Sequence, residues 1–243
     1  MTPVCSLRPD RAAVGTLRAV ADYRAPEFHP AFEEYCEAVF ELQEDDIDVI
    51  QARIAERLDI SRPAVSEMIR RMETEGLIEL DGTAVHLTDD GTDVAERVVR
   101  RHRLAERFLT DVLELSWADA HAEAGKWEHI ISDPVEEALD RLLGSPTTCP
   151  HGNPIPGSDY TAPRSVPLDQ IALGHAFTVS RITEELEFAP GLLDFLEDAS
   201  IQPGRRGTVK AASPDGTLTV EMDDQTIGVG SFASARILVT TAD

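Results

Sequence analysis

The stretch from Val99 to Asp133, VRRHRLAERFLTDVLELSWADAHAEAGKWEHIISD, limits what the rest of the chain can be. It reads as two helices joined at Leu113–Ser116. His102 and Glu106 stand four apart on the first helix and so share a face. On the second, His121, Gly125, Glu128 and His129 recur at spacings of four, seven and eight, again one face. Turned toward each other, such faces gather the imidazoles and carboxylates that a divalent transition metal needs. Turned outward, they are an ordinary wet surface. Three of the seven histidines lie here with acids at ligand spacing, and spacing alone leaves both readings open.

The residues before this stretch carry a second pattern. Ala31–Glu44 is a helix whose buried stripe is Phe32, Tyr35, Val39 and Leu42, with Glu33, Glu34 and Glu37 pointing elsewhere. Asp48–Gly76 then reads as a helix-turn-helix. Val49–Leu58 is its first helix, Asp59-Ile60-Ser61 the turn, and Arg62–Glu75 the second helix. Ser61 is a good N-cap, and Pro63 sits in the first turn, where its missing N–H costs nothing. Val65, Met68, Ile69 and Met72 face the core, which leaves Arg62, Ala64, Ser66, Glu67 and Arg70 outside, with Arg71 nearby. A helix exposed in this way fits a DNA major groove. An ordinary helical pair shows the same pattern, but Leu77–Thr88 weakens that alternative. Two β-rich runs flank Asp81-Gly82, a hairpin signal, and helix-turn-helix plus hairpin is a winged helix.

Composition narrows the setting. The net charge is −23 over 243 residues, and Lys126 and Lys210 are the only lysines. Acidic excess with so little lysine suits concentrated salt, as in the cytoplasm of a salt-accumulating halophile; a charge kept for solubility is the alternative. At 42% hydrophobic the chain is no acidic tail. It has no apolar run long enough for a transmembrane helix, and Met1–Val20 lacks a signal-peptide core. Cys5, Cys36 and Cys149 are scattered thiols that fit a reducing cytoplasm.

Three segments in order, HRLAERFLTDVLEL, WEHIISDPVE and HGNPIPG, resemble the diphtheria toxin repressor family of iron- and manganese-dependent transcriptional regulators. The resemblance runs from about Ala31 into the C-terminal part and is looser beyond Pro156. It implies an α+β chain. Residues 31–89 would form the winged helix-turn-helix, 90–148 a helical dimerisation and metal-binding domain, 149–170 a linker, and 171–243 an SH3-like (FeoA-like) small β-barrel. Residues 1–30 match nothing in the family and form an N-terminal extension. The resemblance also implies Mn²⁺ or Fe²⁺ as cofactor, an operator of double-stranded DNA, a homodimer and no membrane.

Family members place a Met or Asp ligand at the position of Glu34, and manganese-responsive members add a Glu at that of Glu37. The primary site implied is therefore Glu34, Glu128 and His129 with Glu37. A second combines His102, Glu106 and His121, joined in some relatives by a Cys and a His matching Cys149 and His151. A stiff linker is the alternative reading of that Cys and His. Iron-dependent members carry Cys where Gly125 stands, and a Glu and a Gln from the C-terminal domain for which no clear match appears among Glu184, Glu185 and Glu187. Losing soft sulfur leaves harder ligands, which favours Mn²⁺. Ser61, Pro63 and Glu67 match base-approaching positions, and Arg53, Arg62, Ser66, Arg70 and Arg71 complete the expected DNA face. Ile130, Val135, Ala138, Leu139 and Leu142 match the dimer interface. Two other classes remain to be weighed: a winged-helix sensor of a small molecule, and a metalloenzyme. The chain has no H-E-x-x-H, nucleophile elbow or P-loop to support the last.

Overall fold

The computed structural model describes residues 30–241, so the N-terminal extension and Cys5 lie outside the described residues. The DNA-binding unit consists of α1 (Pro30–Glu44), α2 (Gln51–Arg57), α3 (Arg62–Thr74), β1 (Ile78–Asp81) and β2 (Ala84–Leu87). The α1 stripe of Phe32, Tyr35, Val39 and Leu42 packs on Ile54, Val65, Ile69, Met72, Leu77 and Val85. Ser61 Oγ accepts from Ala64 N at 3.4 Å and starts α3, with Pro63 in its first turn. β1 and β2 form the antiparallel wing, Ile78 opposite Leu87 and Asp81 opposite Ala84. One boundary differs from expectation. α2 begins at Gln51, because the preceding backbone is used by the wing: Val85 N donates to Val49 O at 2.9 Å and Ile50 bridges Ala84.

Thr88 caps α4 (Asp89–Asp111) by accepting from Gly91 N at 3.1 Å. Ser116 caps α5 (Trp117–Trp127) through Asp119 N at 3.2 Å. α5 stops before the full face expected of it, but Glu128 keeps helical backbone angles and donates its N–H to Ala124 O. α6 (Asp133–Leu142) follows. Ala105, Leu109, Ala120, Ala124, Ile131 and Leu139 form a small core between these helices. Ile130, Val135 and Leu142 stay exposed.

The C-terminal unit contains β3 (Val166–Pro167), β4 (Ala176–Ile182), α7 (Glu184–Glu187), α8 (Leu192–Asp198), β5 (Arg206–Ala212), β6 (Leu218–Met222), β7 (Gln225–Val229), α9 (Ser231–Ser234) and β8 (Ile237–Thr240). The strands order as β3-β8-β4-β5-β6-β7 and every pairing is antiparallel. This is an open sheet rather than the expected closed barrel. Pro167 lies on its edge, where a missing N–H is tolerated. Phe177, Val179, Ile182, Val209, Val220 and Ile237 face a core closed by Leu193 and Leu196. Trp117 of α5 belongs to that core, and its backbone N–H donates to Glu197 Oε2 at 3.0 Å. The sheet unit is thereby seated on the helices that carry the histidines.

Three arginines, of which Arg103 is fully buried, complete the seating. Arg103 on α4 donates to Glu44 at 3.0 and 2.7 Å, to Glu184 at 2.7 Å and to the Pro154 carbonyl. Arg181 on β4 donates to Glu44 at 3.0 Å, to Asp45 at 2.6 Å and to Asn153. Arg57 on α2 donates to Glu41 at 2.8 Å and lies 3.9 Å over the Phe188 ring.

The loop bearing Cys149 and His151 turns at Gly152, whose φ is +92°. A Cβ there would lie 2.4 Å from Ser180 O and 3.0 Å from the Arg181 Cα. Gly152→Ala should therefore lower stability by about 1–3 kcal/mol from backbone strain alone, with the clash added. A thermal melt checks this; an unchanged melting temperature would show that the loop yields freely.

Candidate metal centre and DNA-reading helix

Of the two readings that spacing left open, the structure has the inward one: the faces of α4 and α5 meet. His102 stands at their centre, its Nδ1 2.5 Å from Glu128 Oε2 and its Nε2 3.2 Å from Glu106 Oε1 and 3.3 Å from His121 Nδ1. Glu106 Oε1 also lies 3.0 Å from His121 Nδ1 and 3.5 Å from His151 Nδ1. Cys149 offers its sulfur to the same cluster as Glu106 and His151. Glu37 of α1 joins His102 and Glu128 in a further group of adjacent donors. His102 therefore touches both expected sets, where the sequence assigned it to the second alone.

Glu34 and His129 lie at the outer end. His129 Nε2 is 3.3 Å from Glu128 Oε1 and 3.9 Å from Glu34 Oε1, and Glu34 is largely exposed. Gly125 is exposed, and a Cβ on it would meet open space.

Two acids were not assigned from the sequence. Glu187 on α7 places Oε2 2.8 Å from His151 Nδ1 and 3.3 Å from His121 Nδ1. Glu33 of α1 places Oε2 2.8 Å from His129 Nδ1. Glu184, three before Glu187, turns to Arg103 instead. Spacing alone gives no sign of the Glu187 contact, because it depends on how the sheet unit seats on α5.

The donors fit a divalent cation. His151 is fully buried; among the described residues its Nε2 has no hydrogen-bond partner, and its Nδ1 meets only the carboxylates of Glu187 and Glu106. A buried ring nitrogen left this way is costly unless something else joins it. Burial opposes charge on His102, but Glu106 and Glu128 outweigh it and raise its pKa well above the ordinary value. Burial likewise opposes charge on His121, while hydrogen bonds to Glu106 and Glu187 raise its pKa to about 10. Burial would raise Glu106, yet His151 and His102 hold it well below the usual carboxylate range. Burial, then Glu33, pushes the Cys36 thiol up to about 12, so it stays a neutral core residue.

On the DNA-binding side, Arg62, Pro63, Glu67 and Arg70 of α3 are exposed. Ser66 donates to Gln51 Oε1 at 2.6 Å and Arg53 pairs with Glu56 at 2.9 Å, so both have local partners. Arg71 stacks over Phe32 at 5.3 Å, back toward α1. Ser61 is exposed at the front of α3.

Comparison with known proteins follows the same division. The DNA-binding domain of iron-dependent repressors matches residues 27–83, their metal-binding and dimerisation domain residues 88–157, and the FeoA domain residues 166–241. The iron-dependent repressor IdeR of Mycobacterium tuberculosis is 40% identical over 200 residues, covering 77% of this chain and 86% of its own. The chain belongs to the iron-dependent repressor family. The diphtheria toxin repressor of Corynebacterium diphtheriae is 35% identical over 198 residues, covering 77% and 87%. Among solved structures, a manganese-dependent transcriptional repressor in complex with manganese superposes with a TM-score of 0.78 at 33% identity, covering 87% of this chain and all (100%) of its own. ScaR with bound Zn²⁺ gives 0.72 at 28% identity, covering 87% and 99%. The family is one of metal-dependent DNA-binding repressors, not of enzymes.

Because the histidines are held protonated between carboxylates, a cation must displace protons to reach them. Binding should release protons, and affinity should fall as pH drops. Isothermal titration of Mn²⁺ in buffers of different ionisation enthalpy checks this; heats independent of the buffer would contradict it.

Proposed function

We propose that this chain is a Mn²⁺- or Fe²⁺-activated, cytoplasmic repressor that binds operator DNA as a homodimer and controls metal-uptake genes. The observation that carries the reading is that candidate ligands on α1, next to the helix-turn-helix, converge with those on α4 and α5. Glu34, Glu37, Glu128 and His129, with His102, would hold one cation. Glu106, His121, Cys149, His151 and Glu187, with His102 shared, would hold another. A bound cation supplies the positive charge that replaces the protons among these donors. The protein supplies the geometry: α1 carries its ligands immediately before α2 and α3, so the same helix serves the metal donors and the DNA reader.

A dimer fits the apolar surface left open by Ile130, Val135 and Leu142. Two α3 helices would then read two half-sites. Ser61, Arg62, Pro63 and Glu67 would face bases; Arg70, Arg71 and Arg53 would supply local positive charge, and Ser66 would hold α3 against α2. Within the described residues no helix is long and apolar enough to cross a membrane. The acidic, lysine-poor composition suits a salt-accumulating cell.

A mobility-shift titration tests the regulator. Mn²⁺ should tighten operator binding over chelator-treated protein at least tenfold; equal affinity in both would favour a small-molecule sensor instead.

Within this reading, ligand hardness favours one metal over the other. Glu34 stands where iron-dependent relatives have Met and Gly125 where they have Cys, so oxygen replaces sulfur, which favours Mn²⁺. The open space at Gly125 admits a side chain, and a mid-helix Gly is a poor helix former. Glu34→Met with Gly125→Cys should shift the response from Mn²⁺ toward Fe²⁺ in anaerobic operator binding without lowering the melting temperature. A wild type that answers only Fe²⁺ would refute the hardness argument.

A further inference from the structure

Glu33 and Glu34 are neighbours on α1 with opposite settings. Glu34 is the exposed one, 3.9 Å from His129 Nε2. Glu33 is buried, and its Oε2 accepts from His129 Nδ1 at 2.8 Å. His129 Nε2 is thereby left facing Glu34 and Glu128.

An imidazole on a short stem can present either nitrogen, and a free ring divides its time between them. A ligand ring is fixed when a carboxylate takes the proton of the other nitrogen, which also makes the ring a better donor. Glu33 has the position, the burial and the distance for that task. A solvated acid would gain nothing by being buried here, since desolvating a carboxylate costs several kcal/mol unless a partner offsets it. His129 is that partner, and it lies on a different element from α1.

From this geometry we infer that Glu33 is a positioning residue: it orients His129 so that Nε2 serves the cation held with Glu34 and Glu128. The inference rests on the metal-regulator reading and deepens it. Glu33 does not touch the cation; it acts through the ring of His129. It also ties α1 to the end of α5 independently of Glu34, so His129 is oriented before a cation arrives.

The test compares Glu33→Met, which keeps bulk and helix propensity but removes the acceptor, with Glu33→Gln, whose amide oxygen accepts the same hydrogen bond. Mn²⁺ affinity is measured by calorimetry, resolving the two donor sets as separate phases. Co²⁺ absorption reports the geometry of the outer site. Melts of chelator-treated protein report stability. Glu33→Met should weaken the outer phase about 10–100-fold, shift the Co²⁺ bands and leave the inner phase unchanged. Its melting temperature should fall, because His129 loses its buried partner, while the unchanged inner phase shows that the fold is kept. Glu33→Gln should recover most of the affinity and the wild-type spectrum. Wild-type outer-phase affinity in Glu33→Met would overturn the inference, as would Glu33→Gln binding no better than Glu33→Met. A Glu33→Met chain that melts lower with its affinity intact would show a structural role only. If the wild type binds no Mn²⁺ at all, the metal-regulator reading falls and this inference with it.

Discussion

The Arg103 guanidinium is the interaction on which the arrangement depends. It is 1% exposed and takes oxygens from Glu44 of α1, Glu184 of α7 and the Pro154 carbonyl in the linker. All three parts of the chain therefore meet at one cation. Burying a charge costs several kcal/mol, and removing one partner from a buried pair costs about 3–5 kcal/mol because its mate is left uncompensated. Such a contact contributes little net stability, but it excludes arrangements in which any of the three partners is missing. Arg103 also sits beside His102 on α4, so the helix that bears the donors is held in rotation by its adjacent face. Arg107, one turn on, continues that face by donating to Thr148 O at 2.8 Å.

The consequence is clearest at α7. Within five residues, Glu184 reaches Arg103, Glu187 reaches His121 and His151, and Phe188 lies under Arg57 of the helix-turn-helix. Glu185 pairs with Arg236, and its N–H donates to Asp45 at 3.2 Å. The inner donors and α2 thus share a support. A ligand shifts a conformational equilibrium only by its differential affinity for the two states. A one-turn helix that touches both the donors and the DNA-binding unit is a short physical route for such a difference.

Much of this fold was legible because its signals are local. Ser61 caps the helix expected of it, and the apolar stripes of α1 and α3 are the faces that became buried. The Asp81-Gly82 wing followed from spacing, whereas spacing only allowed the facing of His102, Glu106 and His121 and the resemblance favoured it. What was missed depends on distant parts. Ile50 looks like a helix residue until the wing claims its backbone. Glu33 looks solvated until α5 ends against it, and Glu187 is one acid among several until the sheet unit seats on Trp117. The family resemblance supplied most of the ligand set. It did not supply Glu33 or Glu187, which required contacts between elements.

The charge arrangement also locates where change is possible. His102, Glu106, His121, His151, Glu128 and Glu187 already lie within hydrogen-bonding or ion-pair distance of one another. These contacts keep that cluster compact, so a cation taken up among its members need move them little. Glu34 differs. Its oxygen is 3.9 Å from His129, and its side chain is 54% exposed. It has both room to move and a reason to, since an exposed carboxylate drawn toward a cation gains an interaction that water had screened. Glu34 rides on α1, and α1 packs into the core shared by α2, α3 and the wing. In the proposed reading, then, the outer donors are the ones whose occupancy can move the DNA reader, while the inner donors fix the frame against which it moves.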